Sequence, residues 1–96
     1  MAFINLAEAT EMTHEYQNNA PVGESIAATF KKEEMAQLIN QAGVEGVRMY
    51  FARTEGNLTL VVVGTDDENQ DLTDGLILDY ASICPHYCPP SSPLIA

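Results

Sequence analysis

Two β-rich runs, VEGVRMYFAR and LTLVVVGT, stand on either side of the short break TEGN, which overlaps the first of them by no residue and contains one glycine. Apolar and β-branched runs bounded by a short Gly-containing turn are the strongest local signal for an antiparallel hairpin, so any fold for this chain must be built around these two strands. In the first, Val47, Met49 and Phe51 alternate with Arg48, Tyr50 and Ala52. In the second, Leu58, Leu60 and Val62 alternate with Thr59, Val61 and Val63, which makes it apolar on both faces, as a strand at the centre of a sheet would be.

The segments before the hairpin read as helices. Asn5-Leu6-Ala7-Glu8 is a capping box, in which the Asn side chain accepts from a first-turn amide while the Glu carboxylate reaches back. The helix it opens runs to near Gln17, with Leu6, Ala9, Thr13 and Tyr16 on one face, Met12 adjoining, Glu8, Glu11 and Glu15 on the other, and His14 at the flank. Asn18-Asn19-Ala20-Pro21 ends it. GESIAATF then offers an edge strand, and KKEEMAQLINQAG a second helix of about three turns, apolar at Met35, Leu38, Ile39 and Ala42. Lys31 is an indifferent N-cap for it, Phe30 and Met35 are spaced for a hydrophobic staple, and Gly43 is its expected stop.

After the hairpin the composition turns acidic at DDENQDLTDG, then LILDYASI supplies one more short strand or extended segment. CPHYCPPSSPLIA holds four of the five prolines, which excludes a helix interior or a central strand. The expected architecture is α+β, a small, mostly antiparallel sheet of three to four strands with two helices on one face. Residues 1–83 form the single domain, and residues 84–96 a Pro-rich, Cys-containing tail packed on it. A chain of 96 residues, 46% apolar, holds one shallow core with a radius of gyration of roughly 12 Å.

The formal charge of −10 repels phosphate backbones and anionic headgroups, so neither nucleic acid nor a membrane is expected as a partner. The opening MAFINLAEATEM lacks the basic and apolar regions of a secretory leader, and cytoplasmic residence is the expectation. No apolar stretch is long enough to span a bilayer.

Two places offer metal-ligand chemistry. Cys84, His86 and Cys88 supply three donors of the kind zinc takes, with His14 or Asp79 as a fourth, but the second ligand pair of a structural zinc site is missing. The same cysteines can instead form a disulfide, which a reducing cytosol disfavours, or pack as small hydrophobes. A reactive thiol needs cationic surroundings that this chain does not supply. In the acidic loop, Asp66, Asp67, Asn69 and Asp71 are hard oxygen donors suited to calcium. From Asp67 the pattern opens like an EF-hand, yet Leu72 stands where that loop needs Gly and Leu78 where it needs Glu. There is no nucleophile elbow, phosphate-binding glycine loop or metalloprotease stretch, so no catalytic residue and no cofactor is expected.

Taken in order, EATEMTHEYQN, LINQAGVEGVRMYFA, LTLVVVGTD, CPHYC and SPL resemble an uncharacterised family of small acidic proteins from Bacteroidota bacteria, over nearly the whole chain. The resemblance implies a free-standing bacterial protein with no assigned activity. It also implies that Pro commonly stands where His86 does, which counts against His86 as a ligand. The residues themselves point first to a non-enzymatic interaction or assembly module with a protein partner or a second copy, through a sheet edge or the tail. A metal-binding protein is the alternative, and a thiol-dependent enzyme the third reading.

Overall fold

The computed structural model describes residues 3–80 and 82–96, so the expected strand LILDYASI contains one position, Ala81, that lies outside the described residues, as do Met1 and Ala2. The elements follow the order α1 (Leu6–Asn19), β1 (Ala27–Thr29), α2 (Lys32–Ile39), β2 (Gly46–Thr54), β3 (Asn57–Thr65), β4 (Ile77–Asp79) and β5 (Ser82–Cys84). This is a small α+β fold with antiparallel sheets of two and three strands.

The hairpin is continuous over both nine-residue strands, from the pair Gly46 and Thr65 to the pair Thr54 and Asn57. Glu55 and Gly56 remain as a two-residue loop with φ of 51° and 81°. Positive φ at both central residues defines the turn whose twist matches that of paired strands, and Gly56 adopts it without cost. β3 pairs with β2 on one side and with β4 on the other, Val62 facing both Met49 and Leu78. It is therefore the central strand its two apolar faces imply.

α2 packs on β3 and β4. Its Leu38 and the Val62 of β3 are fully buried, and with Val63 and Cys84 they make up the buried apolar core of the described residues. Full burial of a Leu or Val side chain is worth roughly 2 kcal/mol, so these positions carry much of the fold. Gly64 belongs to the same packing. A Cβ there would stand 2.8 Å from Val44 Cγ2, so the glycine gives Val44 a seat on the sheet. As the sequence suggests, Lys31 caps α2 without a side-chain hydrogen bond. The helix is nevertheless one turn shorter than expected, because Asn40 closes it and a turn leads to Gly43 at φ 85°.

The single sheet with both helices on one face is not what forms. LILDYASI divides between two sheets: β4 joins the hairpin, while β5 pairs with β1, Ala28 opposite Ile83. α1 begins at the expected capping box, Asn5 Oδ1 accepting from Glu8 N at 2.8 Å, but it has no buried residue. Its side chains hold the end of the chain instead. Thr13 Oγ1 donates to the Leu94 carbonyl at 2.8 Å, and Gln17 Nε2 donates to the same oxygen at 3.0 Å. Gln17 Oε1 accepts from Ala96 N at 2.8 Å. Tyr16 Oη donates to the Ser25 carbonyl at 2.9 Å, tying the helix to the segment that leads into β1. With its elements spread in this way the radius of gyration is 14.9 Å, above the roughly 12 Å of a close-packed chain this long.

Candidate interaction surface

Among the described residues, β2 has β3 on one side and no strand on the other. In a hairpin closed by a two-residue loop, the residues flanking the loop exchange both backbone hydrogen bonds, and alternate pairs repeat the pattern. Thr54, Ala52, Tyr50, Arg48 and Gly46 are thus spent on β3. Val47, Met49, Phe51 and Arg53 turn their N–H and C=O groups toward the open edge.

The side chains of these same residues share the sheet face on which α2 lies, since Val47 pairs with Gly64, Met49 with Val62 and Phe51 with Leu60. The helix covers β3 and β4 on that face, leaving Val47 41% exposed, Met49 46% and Phe51 82%. Apolar depressions lie at both ends of this strip. One, of about 210 Å³, is lined by Ile39, Val44, Glu45, Gly46 and Val47. The other, of about 170 Å³, lies among Phe51, Leu58, Leu60, Tyr16 and Ile26.

On the opposite face β2 is braced by the acidic loop. Arg48 and Tyr50 stand two residues apart and so project to one side, and both bond the Asp71 carboxylate, Arg48 as an ion pair and Tyr50 through its hydroxyl. Arg48 Nη2 also donates to Asn69 Oδ1 at 2.5 Å. The Tyr50 hydroxyl, and then the Arg48 guanidinium, hold the Asp71 carboxyl below the usual aspartate range. The same bond to Asp71 raises the Tyr50 phenol.

The oxygens singled out for calcium therefore have other work. Asp66 Oδ1 accepts from Glu68 N and Gln70 N, both at 2.9 Å, closing the loop on itself. Asp71 and Asn69 bind Arg48, and Asp67 is exposed. At the tail, Cys84 and Cys88 are joined in a disulfide, so neither sulfur is a thiolate ligand, and His86 is exposed. Neither set of proposed metal donors converges, and among the described residues no group of three or more His, Cys, Asp or Glu is placed to hold a metal ion.

His14 is engaged by the tail's backbone. Its Nε2 lies 3.0 Å from the Pro93 carbonyl oxygen, an acceptor, so that nitrogen carries the proton. His86 lines a cleft of about 350 Å³ together with Ser25, Thr59, Tyr80, Ser82 and Tyr87. The buried Thr59 hydroxyl has no hydrogen-bond partner among the described residues. Among the described residues, no Ser, Thr or Cys of the cleft is bonded to a histidine.

The surface along β2 had a signal in the sequence. A strand apolar on both faces takes the centre, so its hairpin partner, apolar at 47, 49 and 51, is left toward the edge. The brace had a weaker one, two polar residues at i and i+2. Among the described residues no helix is long and apolar enough to cross a membrane. Compared with protein-family models, with curated proteins and with solved structures, the chain matches none.

Proposed function

We propose that this chain is a non-enzymatic protein-interaction or assembly module, and that it associates through the open edge of β2 and the apolar strip beside it. The observation that carries this reading is the combination on one strand of an unpaired backbone edge with exposed Val47, Met49 and Phe51. Unprotected edges of that kind template pairing with another chain. The usual safeguards are weak here, since β2 is long, has no proline and pairs with β3 without a bulge over its whole length.

The surface area supports the same reading. A folded monomer of this mass exposes about 5,400 Å², whereas this chain exposes 7130 Å². The excess of roughly 1,700 Å² is larger than the about 800 Å² that one partner buries in a standard interface. Recognition by strand addition takes its affinity from main-chain hydrogen bonds and its selectivity from alternate side chains, which here are residues 47, 49 and 51.

The test is capture with the full chain as bait, comparing wild type with a Val47→Ser/Phe51→Ser variant whose fold is checked by circular dichroism. A stoichiometric companion, another protein or a second copy, that is retained by wild type and lost by the variant is the expected result. A wild-type chain that is monomeric and retains nothing the variant loses sinks the proposal.

A further inference from the structure

We infer that the occupant of the β2 edge is a second copy of this chain, paired antiparallel about a two-fold axis through Met49, with Phe51 of each copy seated in the other's Ile39–Val44–Val47 depression. This rests on the reading of β2 as an association surface and adds the partner and the register.

Symmetry restricts the choice. In an antiparallel pairing of identical strands the two-fold axis passes through a residue facing itself, and the open edge belongs to residues 47, 49, 51 and 53. With Met49 on the axis, Val47 faces Phe51 of the second copy, and the flanking Glu45 faces Arg53. The most exposed aromatic ring on the strand then lies against a depression of about 210 Å³ lined in part by Val44, the side chain that Gly64 makes room for. An axis through Tyr50 sets Arg53 against Val47 and leaves Glu45 without a cation, one through Phe51 sets Arg53 against Met49, and one through Arg48 sets Phe51 against Glu45.

Charge favours this site over others for self-association. The chain carries −10, yet residues 46–54 contain Arg48 and Arg53 and no acidic residue. Two copies can approach there without setting carboxylate against carboxylate. Arg53 lies 3.9 Å from Glu24 in its own chain and is largely exposed, so it is within reach of a partner's Glu45. On the far side, Arg48 is held by Asp71 and Asn69, which keeps its charge away from the apolar contact. The joined sheet has six strands in the order β4-β3-β2-β2-β3-β4.

Sedimentation equilibrium on the full chain across about 1 to 100 μM tests the inference. Wild type is expected as a dimer. Met49→Lys, which places two ammonium groups side by side on the axis, should be monomeric throughout, and Phe51→Ala should weaken dimerisation at least tenfold. Glu45→Arg and Arg53→Glu should each weaken it, and the double exchange should restore it toward wild type. That rescue keeps the test decisive if Met49→Lys fails to fold. Since the natural cysteines are paired, Met49→Cys adds a single thiol that should crosslink the dimer on oxidation. A dimer indifferent to Met49→Lys, a double exchange without rescue, or a monomer at 100 μM overturns the two-fold pairing. If a monomeric wild type still captures a different protein that Val47→Ser/Phe51→Ser loses, the interaction module stands and only self-pairing falls. If it captures nothing of the kind, both fall.

Discussion

β2 and β3 are equal in length, registered with each other from end to end and joined by a two-residue turn, yet one is mostly buried and the other mostly exposed. Composition alone does not explain this, because on the face beneath α2 the edge strand offers Val47, Met49 and Phe51 against Leu60, Val62 and Gly64 on its partner. The difference is what lies alongside. β3 has β4 as a second neighbour and Leu38 above it, whereas the covering layer stops before β2. A strand's burial is decided by its neighbours, and an apolar strand without them is a surface awaiting one.

The contrast breaks first if the centre proves dispensable. Leu38→Ala should destabilise the chain by about 2–5 kcal/mol, the range for emptying a fully buried leucine site, read from the urea midpoint. On the edge, Met49→Ala should change the stability of the dilute monomer by less than about 0.5 kcal/mol. Equal losses at the two positions would mean that the strands are not differently buried.

Next in size is the disulfide, which fastens the end of β5. Closing a loop this short is worth about 2 kcal/mol on the chain-entropy model, so reduction, or a Cys84→Ser/Cys88→Ser variant, should lower the melting temperature measurably. An oxidised pair also sits poorly with a reducing cytosol, and the free-thiol content of protein trapped rapidly from cells reports which compartment applies. The turn that joins the two strands comes third. Glu55 holds φ 51°, which Asn tolerates better, so Glu55→Asn should stabilise by about 0.5 kcal/mol in thermal melts.

The smallest effect tests the brace behind β2. The folded state holds the Asp71 carboxyl below its ordinary range, so between the ordinary aspartate value and the lowered one the unfolded chain binds more protons than the folded chain. The stability contributed by Asp71 is complete above the ordinary value and disappears as pH falls through the lowered one. The difference in melting temperature between wild type and Asp71→Asn should therefore be present at neutral pH and close under acid. A difference that persists unchanged at low pH would remove the charge from the explanation.

What the sequence disclosed divides along the same line. The hairpin, its central strand and the capping box at Asn5 were legible because each depends on residues a few positions apart, whereas Gly43, the expected stop of α2, lies beyond the Asn40 that closes it. The pairing of β5 with β1 was not, since alternation identifies a strand without naming its neighbour, and LILDYASI reads as one segment. Leu6, Met12 and Tyr16 made a helical stripe, but nothing local told whether a sheet or solvent faced it, and all three are exposed. The candidate donors met a related limit, since a side chain's partner can lie far off in the chain. Asp71 resembles a cation ligand until Arg48, 23 residues earlier in the chain, comes to lie beside it.

The clasp of α1 on residues 93–96 joins opposite ends of the sequence, with partners 77 to 81 positions apart. Contacts so remote carry a high loop-closure cost, and these bonds rest on side chains open to water rather than on buried apolar area. Helix and tail should therefore open as one cooperative unit well below the free energy of global unfolding, with the amides of both exchanging their hydrogens together while those of β3 stay protected. The molecule would then spend a small fraction of its time with an intact sheet and an undone clasp, a second native species with its helix face and its terminal peptide both unoccupied.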